Sequence, residues 1–241
     1  MKKHIPNLLT LGNLLCGTIA TILAVQGDFV TAGLLVVLGI FFDFFDGFAA
    51  RLLNVSGELG KQLDSLADMV TSGVVPGIIM FNLLIDKKYV SESFSDEFML
   101  SNYLPFFGLI LTLGACYRLA KFNIDTRQSD SFIGLPTPAM SLFVISLPLI
   151  LEYSDIEFVH NLINNKYFLI TITVVLTYLM NAEIPLFSLK FKEYSIKNNL
   201  VKYLFLLISV LMIVILQYLS IPLIITLYVI LSIISNTKKI A

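Results

Sequence analysis

The chain has 241 residues, 57% of them hydrophobic and 14% charged, with a formal net charge of −1 and a mean hydropathy of +0.86. This balance describes an integral membrane protein, and the near-neutral charge without a long basic run argues against a nucleic-acid partner. Cys16 and Cys116 both lie in apolar segments and His4 and His160 are isolated, which argues against a disulfide framework, a CxxC metal site or a histidine-built zinc site.

The chain opens with MKKHIPNLLTLGNLLCGTIATILAV. Its basic start resembles a signal peptide, but the apolar run is too long and no small-x-small cleavage site follows. Leu15 before Cys16 is too large for lipoprotein processing, so this stretch is expected to be a retained first transmembrane helix. A spanning helix needs roughly 20 apolar residues, and reading for such runs gives about eight segments. They are Leu8–Val25, Phe29–Phe48, Ala67–Ile85, Tyr103–Ala120, Pro138–Leu151, Phe168–Ala182, Tyr203–Tyr218 and Ile221–Ile234. The expected fold is all-α, one polytopic membrane helical bundle over 1–241 with no separate soluble domain. No internal repeat or low-complexity tract interrupts it.

Loop charges set the expected orientation. An N-terminus in the cytoplasm puts Lys2, Lys3, Arg51, Lys61, Arg118, Lys121, Arg127, Lys190, Lys192, Lys197, Lys202, Lys238 and Lys239 on that side. The other side keeps Lys87, Lys88 and Lys166, as the positive-inside rule demands. Both termini and the mouth of the Asp-rich stretch are then cytoplasmic, in the cell membrane. DKKYVSESFSDEF and EYSDIEFVHNLINNK read as solvated outward connectors.

The stretch DFFDGFAARLLNVSGELGKQLDSLAD, residues 43–68, places four carboxylates in membrane-embedded helix. Each costs about 2.5–3.5 kcal/mol at mid-bilayer on insertion scales, so an intramembrane acid reads by default as functional. Asp43, Asp46, Gly47 and Ala50 fall at i, i+3, i+4 and i+7, on one helix face; Gly60, Asp64 and Asp68 share a face of the next helix. Asn54, Ser56 and Gly57 suit a turn in the connector Leu52–Leu59. Two antiparallel helices so joined point four acids into one space, and two hard divalent cations, Mg²⁺ or Mn²⁺, would cancel their charge. Gly47, Ala50 and Gly60 leave room for a phosphate-bearing group, although small residues on membrane helices also serve packing. Arg51 at the cytoplasmic end could meet a phosphate or anchor the helix in the interface.

The pattern Asp43-x2-Asp46-Gly47-x2-Ala50-Arg51-x8-Gly60-x3-Asp64-x3-Asp68 resembles the signature of the CDP-alcohol phosphotransferase family without a departure. The resemblance implies a polytopic membrane enzyme that moves a substituted phosphate from a CDP-linked donor to an alcohol, releasing CMP. It implies that Asp43, Asp46, Asp64 and Asp68 hold two divalent cations, that Asp68 is the base towards the acceptor hydroxyl, and that Gly47, Ala50, Gly60 and Arg51 line the CDP moiety.

HIPNLLTLGNLLCG, QLDSLADMVTSGVVPG and YRLAKFNI…FIGLPTPA narrow the resemblance to bacterial and archaeal phosphatidylserine synthases of that family. The similarity covers roughly residues 1–150, the implied catalytic region; 151–241 would add C-terminal transmembrane helices. The implied partners are CDP-diacylglycerol, L-serine and membrane lipids, and a homodimer is left open. The chain departs from these synthases at Thr71-Ser72-Gly73, where many carry a Phe-containing SFG, which bears on packing near Pro76. Arg118 is the cation best suited to the serine carboxylate, with Lys121 and Asn123 assisting; the alternative is that Arg118 and Lys121 only anchor a helix end. The rival acceptors are glycerol 3-phosphate or an inositol phosphate, and the rival class is a cation transporter using the four acids as its pathway.

Overall fold

The computed structural model describes residues 4–55, 57–85, 103–125, 132–187 and 199–240. Helix α1 (His4–Gln26) and helix α2 (Phe29–Leu52) form an antiparallel pair joined by a tight turn, and Asp28 caps α2 by accepting from Thr31 N at 3.1 Å. Small residues make this pair close: Gly17, Ala20 and Ala24 on α1 and Ala32, Gly33, Val36 and Gly39 on α2 are buried. Small side chains let membrane helices approach backbone to backbone, where dispersion replaces the missing hydrophobic drive.

Helix α3 (Glu58–Asp68) runs through a π-helical segment, Met69–Val74, into α4 (Val75–Leu84). Pro76 gives a reason for the widened turn. Its ring would clash with the carbonyl of residue 72 and it donates no hydrogen bond there. An i→i+5 turn moves that carbonyl aside, and such π-bulges are frequent at functional sites. The departure Thr71-Ser72-Gly73 falls inside this segment and is fully buried. Thr71 wedges between α1 and α2, donating to Asn13 O at 3.1 Å. A Cβ at Gly17 would lie 2.9 Å from the Thr71 backbone, and one at Gly39 would lie 2.7 Å from Thr71 Cγ2. Gly39→Ala is therefore expected to destabilise the bundle by about 1–3 kcal/mol, the usual cost of overpacking, read as a lower melting temperature in detergent.

A 3₁₀ turn, Leu104–Leu109, leads into helix α5 (Ile110–Ile124), antiparallel to α4 and tied to the π segment by Thr112 Oγ1 donating to Gly73 O at 3.0 Å. Strand β1 (Phe132–Ile133) precedes helix α6 (Thr137–Tyr153), which packs against α2 and α4. The short helix α7 (Glu157–Ile163) meets α8 (Lys166–Asn181) at 70°. Helix α7 lies in a segment expected to be solvated connector; it orders because Val159 and Ile163 pack on the core. Strand β2 (Pro185–Leu186) pairs antiparallel with β1. Helices α9 (Leu200–Leu216) and α10 (Ser220–Ile240) close the chain.

Leu200–Ser235 is one apolar stretch of 36 residues, but it turns back on itself at Gln217, where φ is 48°. A straight helix would set residues 205 and 228 about 34 Å apart. Instead the rings of Phe205 and Tyr228 stand 5.8 Å apart, with Phe187 against both. All eight expected apolar segments are thus helical, and among the described residues five stretches are long and apolar enough to cross a membrane. The protein is a polytopic helical membrane protein. The connector DKKYVSESFSDEF, together with Ser56 and Arg127, lies outside the described residues.

Candidate active site

The C-terminal half of α2 is followed after a short connection, in which Asn54 takes a positive φ of 51°, by α3. The helical spacing brings Asp43, Asp46 and Asp64 together. Each offers an oxygen, and these atoms all lie within 4.8 Å of one another. Asp64 Oδ1 is buried without a hydrogen-bond partner. An all-oxygen donor set, closely spaced and with an unused buried lone pair, fits a hard divalent cation. Asp68 stands outside this mutual group, although its charge bears on Asp43. It is buried, and its Oδ1 accepts from Asn13 Nδ2 at 3.1 Å.

Beside the acids lies a half-open cavity of about 230 Å³ lined by Pro6, Asn7 and Thr10 of α1, Asp46, Gly47 and Ala50 of α2, and Gly60, Lys61 and Asp64 of α3, with Val55 and Gly57 from the turn. In neither Gly47 nor Gly60 does the protein itself demand a glycine. An added Cβ at Gly47 meets nothing nearer than Arg51 Nη1 at 3.9 Å, and one at Gly60 meets Asn7 Oδ1 at 3.6 Å. Gly77 and Gly108 differ: Cβ atoms there would run into Thr112 and the backbone at Phe81. Arg51 is exposed on the last turn of α2, with its guanidinium near Gly47.

A family model described as CDP-alcohol phosphatidyltransferase matches residues 3–181. The chain belongs to this family. It is similar to the CDP-diacylglycerol–serine O-phosphatidyltransferase of Bacillus subtilis (strain 168), 36% identical over 149 residues, which is 60% of this chain and 75% of that protein. The Helicobacter pylori (strain ATCC 700392 / 26695) protein of the same name is 33% identical over 204 residues, 83% of this chain and 79% of its own length. The archaetidylserine synthase of Methanothermobacter thermautotrophicus is 30% identical over 156 residues, 64% of this chain and 61% of that protein.

Around the acids of this CDP-alcohol phosphatidyltransferase, the three residues expected at the serine site are placed differently from one another. Arg118 is buried in α5, 7% exposed, with its charge and that of Asp68 acting on each other. Its guanidinium carbon is 5.9 Å from the Phe122 ring centroid, and its Nε is buried without a partner. Lys121 turns away to Glu183 at 3.3 Å, beyond the end of α8. Asn123 is held by α3, its Oδ1 accepting from Ser65 Oγ at 3.1 Å and its backbone carbonyl from Lys61 Nζ. The GLPTPA turn is anchored rather than loose: Gly134 N donates to Ile184 O at 2.9 Å and Leu135 N to Leu179 O at 2.8 Å. Gly134 has φ 75° and no room for a side chain against Met180 O.

The sequence reading missed α1 as a wall of the site. Pro6, Asn7 and Thr10 line the cavity and Asn13 meets Asp68, yet small polar residues in an apolar helix carry no signal of their own. Lys61 was placed only on the cytoplasmic side, and it too lines the cavity.

Proposed function

We propose that the chain is a phosphatidylserine synthase, transferring the phosphatidyl group of CDP-diacylglycerol to the hydroxyl of L-serine with release of CMP. The observation that carries this reading is the placement of Asp46, Gly47, Ala50, Gly60 and Asp64 around one cavity. It agrees with the activity for which the Bacillus subtilis and Helicobacter pylori relatives are named. The cavity takes the CDP moiety, with Gly47 and Gly60 leaving backbone open to it and Arg51 and Lys61 offering positive charge to the phosphates. Asp43, Asp46, Asp64 and Asp68 would hold two divalent cations, Mg²⁺ or Mn²⁺. When bound, such cations would polarise phosphoryl oxygens and stabilise the developing charge.

The protein's own part is orientation and proton transfer. Asp68 takes the proton of the serine hydroxyl as its oxygen forms a bond to the β-phosphorus. The bond between that phosphorus and the oxygen of CMP breaks in line. Arg118, sealed beside Asp68, meets the serine carboxylate with its guanidinium fork, and Asn123 and Lys121 frame the same end of α5. The catalytic region spans 1–150 and the helices of 151–241 buttress it. The lipid chains lie between helices, the site faces the cytoplasm, both termini are cytoplasmic, and a homodimer is compatible with this arrangement.

The deciding experiment is an acceptor screen with purified protein and CDP-diacylglycerol. Serine, glycerol 3-phosphate and inositol phosphate are offered separately and the lipid product is identified. Phosphatidylserine is expected; a product from a phosphorylated acceptor alone would overturn the assignment.

Two further outcomes follow from the same placement. Arg118→Lys keeps the charge and loses the fork, so KM for serine rises while KM for CDP-diacylglycerol stays nearly unchanged in steady-state kinetics. If both constants move together, Arg118 belongs to the donor site or to the fold. For orientation, Ser154→Cys at the far end of α6 is expected to label from outside intact cells, in a background lacking the exposed Cys116. Labelling only after permeabilisation would invert the topology.

A further inference from the structure

Helix α1 carries no acidic residue, yet it lies against α2 and α3, the two helices that carry the acids of the site. Thr10 and Asn13 are three residues apart and so share one face. Each meets a carboxylate from a different helix: Thr10 Oγ1 stands 2.5 Å from Asp46 Oδ2 of α2, and Asn13 Nδ2 stands 3.1 Å from Asp68 Oδ1 of α3. Thr10 is 3% exposed and Asn13 is 0% exposed.

The chemistry of each contact has one direction. A carboxylate accepts only, so the hydroxyl and the amide must donate. Thr10 Oγ1 also lies 3.1 Å from Pro6 O, but its single proton goes to the charged acceptor, which binds it more strongly. The Asn13 amide cannot be turned round, because its oxygen would then face the Asp68 carboxylate. Its Oδ1 instead points towards α2, where a Cβ on Gly39 would come within 2.8 Å, and it has no partner. The backbone of Asn13 is held as well, by the hydrogen bond from Thr71 in the π segment. Thr71, Gly17 and Gly39 therefore set where the Asn13 amide can be.

We propose that Thr10 and Asn13 are positioning residues of the metal site, each tying one carboxylate oxygen to α1 and leaving the remaining lone pairs directed at the cation. The inference rests on the metal reading given under the proposed function. Neutral donors on Asp46 and Asp68 offset the mutual repulsion of the acids and hold their rotamers at ligand spacing, so less reordering accompanies binding. Hydrogen-bonded partners of ligating carboxylates typically contribute about 10–100-fold to metal affinity. The competing explanation is helix packing alone, since small polar residues also join membrane helices.

The test uses full-length protein purified in detergent, titrated with Mn²⁺ and followed by the electron paramagnetic resonance signal of the free ion. Thr10→Val removes the hydroxyl at nearly constant volume, Thr10→Ser restores it, and Asn13→Leu removes the amide; Asn13→Ala replaces the last if that chain does not fold. Melting temperatures in EDTA and in Mn²⁺ are read for every variant. Thr10→Val and Asn13→Leu are expected to weaken Mn²⁺ binding about 10–100-fold and to shrink the Mn²⁺-induced rise in melting temperature, while Thr10→Ser stays near wild type. A packing role would instead lower the melting temperature in EDTA and Mn²⁺ alike. Mn²⁺ affinity within about threefold of wild type, well inside the range for such partners, overturns the assignment for the residue concerned. Wild-type protein that binds no Mn²⁺ at all would overturn the metal reading itself, and this inference with it.

Discussion

Asp64→Asn is expected to reduce CMP release from CDP-diacylglycerol to background. Asp64 belongs with Asp43 and Asp46 to a group whose ligand atoms lie within 4.8 Å of one another, and its Oδ1 is buried without a protein partner. An asparagine there removes a charge and puts an amide where an oxygen ligand belongs. The remaining acids then hold less negative charge against a hard cation, which binds oxygen and discriminates against the neutral amide. Asp43→Asn should behave alike. Excess EDTA should silence the wild-type enzyme, and Mg²⁺ or Mn²⁺ should restore it. The measurement is CMP release in mixed micelles, with the melting temperature of each variant as the control for folding. Full activity in EDTA would sink the role given to these carboxylates.

Asp68→Asn is expected to lower kcat about 10²–10⁴-fold, the range for loss of a general base, with KM for CDP-diacylglycerol moving much less. Its geometry sets it apart from the other three acids. It lies outside their mutual group, is buried, accepts from Asn13, and is subject to the charge of Arg118. The variant also removes the negative charge that acts on the buried Arg118, so a lower melting temperature should accompany the kinetic loss. Activity within about threefold of wild type would refute the proton-transfer role, because that is far short of what a lost base costs.

The helical register of the acids was legible because it is a one-dimensional property. Asp43, Asp46, Gly47 and Ala50, and then Gly60, Asp64 and Asp68, repeat at the spacing of one helix face whatever surrounds them. The apolar segments were legible for the same reason, down to the reversal between α9 and α10, since hydropathy along the chain needs no partner. The reach of α3 was less so: the helix begins at Glu58 with polar first turns, where hydropathy alone sees no span.

Only the tertiary structure decided which side chains complete the site. Thr10 and Asn13 lie more than 30 residues from the acids they meet, as the sequence separations of 36 and 55 record. Helix α1 carries no local pattern that points to them. Arg118, Lys121 and Asn123 looked alike as one polar helix end, but Arg118 is buried beside the Phe122 ring, Lys121 pairs with Glu183 and Asn123 accepts from Ser65, three different surroundings. The π segment at Met69–Val74 belongs to the same class. Pro76 warned of a break, yet the turn that results depends on the space α1 and α2 leave for Thr71, which is set by Gly17 and Gly39. A sequence fixes the angle between neighbours on one helix; which helices close on each other, and therefore which polar atoms meet, is settled by the packing of small residues between them.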